Sequence, residues 1–304
     1  MIEQDFIVAW RQQAPWPTDA QVEQDLVLSR AMIEIFNHPL LSRELAIRGG
    51  TALHKLFLPK PARYSEDIDL VQITAGPIGP VMTALRETLD PWLGAPRRSQ
   101  SEGRMTFIYR FESELPPVVP LRLKIEINTR EHFTVLGYVW PTHAVNSGWF
   151  RGAAEIRSYR LEELLGTKLR ALFQRKKGRD LFDLGIALED DSLDIEALID
   201  CFEKYMAHGV ATVSRAQYEE NLLTKLATPE FTADLPLILS ADAVGNYDVQ
   251  RAGELVLTRL IAKLRGEAWQ GKLGTTGSPE PTGVSRPAVG LPKAIPRLPS
   301  SPTQ

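Results

Sequence analysis

Two aspartates one residue apart, Asp67 and Asp69, stand in the run Ser65-Glu66-Asp67-Ile68-Asp69-Leu70. Side chains alternate between the faces of a strand, so both carboxylates point one way while Ile68 and Leu70 point into a core. Paired carboxylates repel each other, and a divalent cation is the most direct remedy. Some 17 residues upstream, Gly49-Gly50-Thr51 follows the apolar run Leu45-Ala46-Ile47 and opens a short helical pattern. Ala52, Leu53, Leu56 and Phe57 share one face of that pattern. Glycines at a helix start leave backbone N–H groups open to a phosphate. A bare Gly-Gly also suits an ordinary turn, and a bare Asp-x-Asp a solvated edge. In this order the two have the layout of a nucleotidyl-transfer site.

A second group lies at Lys168–Asp183, KLRALFQRKKGRDLFD. Six basic residues and no acid fall between Lys168 and Arg179. Lys168 and Arg175 are seven residues apart, which places them on one face of a continuous helix. They would hold triphosphate oxygens, with Asp180 orienting one of them or serving as a base. Lys176 and Lys177 are rotated off that face by about 100° and 200° and would track an RNA backbone. The plain alternative is a basic helix end followed by an acidic helix start, with Asp180 and Asp183 serving the second helix.

Elements must position these groups. Thr18-Asp19-Ala20-Gln21 predicts a capping box opening a helix to about Phe36, after an irregular or weakly helical stretch over 1–17 anchored by Trp10 and Trp16. Strands are predicted at 45–48, 67–73, 105–111, 120–128 and 133–140, and a helix at 77–92. In the 120–128 strand Leu121, Leu123, Ile125 and Ile127 alternate with Arg122, Lys124, Glu126 and Asn128. That alternation makes Glu126 a possible third metal-binding carboxylate. From Ser158 the pattern becomes helical, over 161–174, 179–188, 194–205, 214–226 and 248–264. The result is an α+β class with a mixed sheet and flanking helices. It divides into residues 1–155, a helical domain 156–270, and a Pro/Gly/Ser-rich tail 271–304 read as disordered.

The 304 residues are 43% hydrophobic and carry a net charge of −3, so any nucleic-acid contact must rest on local charge. No apolar run approaches the roughly 18 residues of a membrane span, and the charged N-terminus lacks a signal-peptide core. The single cysteine, Cys201, allows no internal disulfide and reads as a buried small apolar residue. His54 could touch nucleotide but reads better as a packing or surface residue. His38, His132, His143 and His208 show no metal-ligand spacing. These features point to the cytoplasm and away from membranes.

The segments IRGGTALHKLF, RYSEDIDL, LKIEINTRE and LEELLGTKLRALFQRKKGRDLFDL together resemble the AbiEii/AbiGii-type nucleotidyltransferase toxins. The likeness runs from about residue 40 to residue 190. It implies a polymerase-β-like nucleotidyltransferase core with a helical C-terminal domain. It also implies transfer of a nucleoside monophosphate from an NTP, in this family often to the 3′ end of tRNA, and an antitoxin encoded nearby. The nucleotide-binding set it implies is Gly49, Gly50, Thr51, Ser65, Lys168 and Arg175. The catalytic set is Asp67, Asp69, Lys168 and Asp180, with Asp183 an alternative to Asp180. Mg²⁺ or Mn²⁺ would be held by Asp67, Asp69 and Glu126, as two ions about 3.5–4 Å apart. A nucleotide-binding sensor, a small-molecule nucleotidyltransferase and a phosphorylating toxin are the alternative readings.

Overall fold

Leu121, Leu123, Ile125 and Ile127 are buried along β5 (Pro120–Asn128), as their alternation requires. The same rule buries Ile68 and Leu70 in β2 (Asp67–Gln72). In this computed structural model, which describes residues 2–209 and 211–271, these strands lie at the centre of a mixed sheet. β5 pairs parallel to β2, and β2 pairs antiparallel to β1 (Leu45–Arg48). On the far side of β5 come β4 (Arg104–Glu112) and the fully exposed β3 (Arg97–Ser101). Beyond β1 lie the short strands β9 (Ser158–Tyr159) and β6 (Tyr138–Val139). A separate antiparallel pair joins β7 (Thr142–Asn146) to β8 (Arg151–Glu155).

Helix α2 (Asp19–Asn37) starts where the Thr18–Gln21 capping box closes and buries Leu26, Leu28, Ala31, Met32 and Ile35 in the sheet core. The first residues are more regular than expected, with α1 at Gln4–Trp10. The Trp10 and Trp16 indoles each donate to Asp25 at 2.9 Å, which anchors the segment to α2. Further helices are α3 (Pro39–Glu44), α4 (Gly49–Ala52), which runs on through a π-turn to Phe57, and α5 (Gly79–Leu93).

The strand expected over 133–140 forms only at Tyr138–Val139. Buried Glu163 accepts the Val135 and Leu136 N–H groups at 2.9 Å and the Thr134 hydroxyl at 2.8 Å, so these groups cannot join a ladder. Glu163 belongs to α6 (Leu161–Gln174), followed by α7 (Gly178–Ala187), α8 (Ile195–His208) and α9 (Arg215–Leu226). Short α10 (Ala241–Asn246) and α11 (Val249–Leu255) follow. The helix expected over 248–264 changes after Leu255 into a π-turn and then a 3₁₀ turn. Cys201 is buried, as expected. The expected tail lies, from residue 272, outside the described residues. Among the described residues no helix is long and apolar enough to cross a membrane.

Buried apolar side chains form one cluster under the sheet and a second among α6–α9 and α11. Residues through Gly271 make one compact unit that contains both clusters. Leu53, beside the glycine turn, belongs to the second core. Fully buried Asp183 of α7 ties the two together. It accepts Arg63 Nε at 2.7 Å and Nη2 at 2.8 Å, His54 Nε2 at 2.8 Å and Lys168 Nζ at 2.7 Å.

Burial alone would raise the Asp183 carboxyl, but Arg63 and Lys168 hold it well below its ordinary 3.8. The tie therefore stabilises the fold above about pH 4 and is lost as the pH falls further. Asp183→Asn leaves Arg63 buried without its partner, which costs about 3–5 kcal/mol at pH 7. Urea unfolding checks this. The gap to wild type should be full at pH 7 and narrow below about pH 4. Equal midpoints at pH 7 would remove Asp183 from this role.

Candidate active site

β1 ends at Arg48, and the chain turns through Gly49 with φ +83°. A side chain there would be strained, and a Cβ would stand 2.3 Å from Asp69 Oδ2. The first glycine is thus the condition for bringing the turn against the aspartate. β1 sets Arg48 opposite Asp69, while the parallel β2–β5 register sets Lys124 opposite Asp67 and Glu126 opposite Asp69. A cleft of about 280 Å³ opens over this face. Gly49, Gly50, Ser65, Asp67, Asp69 and Glu126, from the sheet side of the chain, line it together with Lys168 and Arg175 from the helical region. A more open hollow of about 590 Å³, lined by Trp140 and Arg157, contains none of the expected site residues.

The acids are unevenly matched. Burial pushes the Asp67 carboxyl up to about 6, against the pull of Lys124 and with Asp69 adding to the rise. Burial alone would lower Lys124, yet Glu126 and Asp67 raise its ammonium above the ordinary lysine value. These opposite outcomes for one ion pair have a geometric cause. Lys124 Nζ lies 2.6 Å from Glu126 Oε2 but 3.3 Å from Asp67 Oδ2, so most of its charge serves Glu126. Asp67 Oδ1 is buried with no hydrogen-bond partner. A carboxylate with an unsatisfied oxygen, next to a second carboxylate in the lining of one cleft, fits a divalent cation that would take its remaining ligands from phosphate and water. Glu126, opposite Asp69 and lining the same cleft, is held by Lys124 and by Arg104, the latter at 3.2 Å. Among the described residues no three His, Cys, Asp or Glu side chains converge as metal ligands.

The cationic wall is pre-aimed by buried acids. Lys168, 8% exposed at the side chain, reaches Asp183 and, at 3.5 Å, Asp180. Arg175 donates from Nε and Nη2 to Asp180 at 2.7 and 2.8 Å. Asp180 is fully buried and both its oxygens are engaged, so its geometry is that of an orienting group rather than a base. Asp183 performs the structural tie described above.

Two expectations need correction. α6 ends at Gln174, and Arg175 is extended rather than helical, so the shared helix face does not exist. Arg175 enters the cleft by folding back onto Asp180. For the same reason the 100° and 200° rotations do not apply to Lys176 and Lys177. Both are exposed and lie outside the cleft, with Lys176 in a neighbouring groove beside Phe173 and Lys225. Thr51 also lies behind the cleft. Its hydroxyl donates to the Asp67 carbonyl and accepts from the Ser65 hydroxyl at 2.9 Å, and so positions Ser65. His54 is a buried packing residue. Burial pushes its imidazole down to about 4, leaving it neutral to donate to Asp183.

Sequence reasoning left Arg48 and Arg63 unassigned. Arg48, Arg63, Arg170 and Arg179 all line the cleft. Arg48 and Arg170 share Glu131. Burial alone would raise that carboxyl, but the two arginines hold it down to about 2. Arg48 and Arg63 border the two motifs in sequence, a signal that proximity alone could have raised.

The fold is similar to that of MenT4, a nucleotidyltransferase toxin from Mycobacterium tuberculosis H37Rv, with TM-score 0.63 and 14% identity over 87% of this chain and 91% of that one. It is also similar to JHP933 from Helicobacter pylori, with TM-score 0.51 and 18% identity over 82% and 94% of the two chains. A search of curated proteins finds no match. The model of the nucleotidyl transferase AbiEii toxin family, of type IV toxin–antitoxin systems, matches residues 30–253. Because that match runs through both cores and through every cleft residue from Arg48 to Arg179, the chain belongs to the AbiEii nucleotidyl transferase toxin family.

Proposed function

We propose that this toxin moves a nucleoside monophosphate from an NTP to an acceptor hydroxyl on RNA, with the tRNA 3′ end as the acceptor, in the cytoplasm and under restraint by a separate antitoxin. The observation that carries the reading is that Asp67, one of whose oxygens no protein group satisfies, lines one cleft together with Asp69, Lys168 and Arg175. A divalent cation, Mg²⁺ or Mn²⁺, would be held by Asp67 and Asp69. It would offset phosphate charge and acidify the acceptor hydroxyl. Lys168 and Arg175 meet the triphosphate and then the charge of the departing pyrophosphate. Asp180 keeps both cations aimed before substrate arrives, which lowers the ordering cost of binding. Gly49 and Gly50 leave backbone open to phosphate beside the acids, and Ser65 adds a hydroxyl positioned by Thr51. The acceptor's oxygen bonds the α-phosphorus as the bond to pyrophosphate breaks.

Incubation with α-labelled NTPs and total RNA tests this, with Asp69→Ala as control. Label should appear in RNA with wild type only, and Asp69→Ala should relieve growth arrest when the toxin is produced alone. Transfer of γ-label but not α-label would replace the reading with phosphorylation. α-Label on a small molecule rather than RNA would replace the acceptor.

Asp67→Asn should abolish transfer while raising the metal-free melting temperature by about 2–5 °C, since it removes a buried carboxylate that burial disfavours. A calorimetric scan checks the sign, and a lower melting temperature would contradict it.

Exposed Lys176 and Lys177 serve the RNA backbone in this reading. Replacing both with alanine should leave NTP affinity unchanged and reduce the log–log salt slope of RNA binding by about 0.7 per lost phosphate contact. An unchanged slope would remove them from the acceptor path.

A further inference from the structure

We propose that Lys124 takes the place of the second metal ion, so that the cleft works with a single divalent cation. This inference rests on the nucleotidyl-transfer reading above. Lys124 sits on β5 directly opposite Asp67, and its ammonium bridges Asp67 Oδ2 and Glu126 Oε2 at 3.3 and 2.6 Å. A bridging ion joins two carboxylates in just such a position. The alternation of β5 puts Lys124 and Glu126 on the same face, so the reach is built into the strand and not into a mobile loop. Its side chain is only 25% exposed.

Charge points the same way. Lys124 and Arg104 pair with Asp67 and Glu126, which leaves Asp69, opposite an Arg48 that Glu131 holds, as the excess negative charge among the three acids. One divalent cation carried in with a triphosphate suits that excess, because the remaining phosphate charge meets Lys168 and Arg175 across the cleft. A second divalent cation between Asp67 and Glu126 would have to expel Lys124 into a cleft already rich in arginine. Lys124 is therefore a positioning residue. It holds Glu126 away from the metal and keeps the aspartate pair as the sole metal ligands among the acids.

Electron paramagnetic resonance of Mn²⁺ with the full-length protein and an α,β-methylene NTP counts the ions directly. Wild type should hold one Mn²⁺ per chain and Lys124→Met two. Lys124→Arg, which keeps the charge, should hold one. The metal-free melting temperature of Lys124→Met should fall below wild type and recover at saturating Mn²⁺. Two ions in wild type would overturn the inference, as would a folded Lys124→Met that still holds one. Should Lys124→Met not fold without metal, the wild-type count and Lys124→Gln decide the matter. Asp67→Asn separates the two levels. If it leaves Mn²⁺ binding intact, the nucleotidyl-transfer reading of the carboxylates fails and takes this inference with it. If it loses Mn²⁺ while wild type holds two, only the role of Lys124 fails.

Discussion

The salt bridge between Arg63 and Asp183 constrains everything around the cleft. Both side chains are buried, so neither charge has water to fall back on, and each requires the other. Arg63 adds a donor to the Tyr64 carbonyl at 3.0 Å, which fixes the guanidinium plane. That plane then constrains the glycine turn, since a Cβ at Gly50 would stand 2.4 Å from Arg63 Nη2. Gly50 accommodates Arg63, and Gly49 accommodates Asp69. An ion pair between a loop and α7 thereby sets how closely β1, the turn and β2 approach. The same Asp183 holds Lys168, so one carboxylate aligns both walls of the site.

The two walls carry opposite charge by different means. The sheet supplies acids through strand register, which is rigid and leaves Asp67 with an oxygen no protein group satisfies. The helices supply cations at the ends of long flexible side chains, which need partners to hold still. Asp180, Asp183 and Glu131 provide them, each one anchoring more than one cation. Such fully paired acids cost desolvation energy and are weak sources of net stability. Their contribution is orientation, since an unpaired Arg175 would lose rotamer freedom only when substrate arrived.

How much was legible in the sequence follows from whether a residue's role is local. The Gly-Gly turn and the Asp-x-Asp alternation are local patterns, so spacing put Gly49, Gly50, Asp67 and Asp69 forward, whereas the approach of Gly49 to Asp69 and of Gly50 to Arg63 is tertiary. The face of Glu126 was readable from strand alternation, and the same alternation placed Lys124 beside it. What could not be read was that Lys124 would claim Glu126, because that depends on the pairing of β5 with β2. Arg175 was misplaced for a tertiary reason. Buried Lys225 of α9 binds the Leu172 and Phe173 carbonyls and ends α6 early. Gly178 then approaches the Phe231 carbonyl so closely that a Cβ would stand 2.8 Å away. The 133–140 strand failed similarly, its N–H groups taken by a glutamate on α6.

These misses bear on how substrate is selected. A helix face bearing Lys168 and Arg175 would present two free cations to any polyanion. The folded-back Arg175 presents a guanidinium already bonded twice to Asp180, with its side chain 46% exposed. Three of its five N–H groups remain, on the edges turned away from Asp180. A guanidinium held on one edge meets a further anion only in its own plane, whereas a free lysine meets phosphate from any side. In the nucleotidyl-transfer reading proposed above, the cleft would favour an anion that reaches Arg175 while also lying against Asp67 and Asp69. A triphosphate, with its linked phosphates, would meet both sets of groups at once.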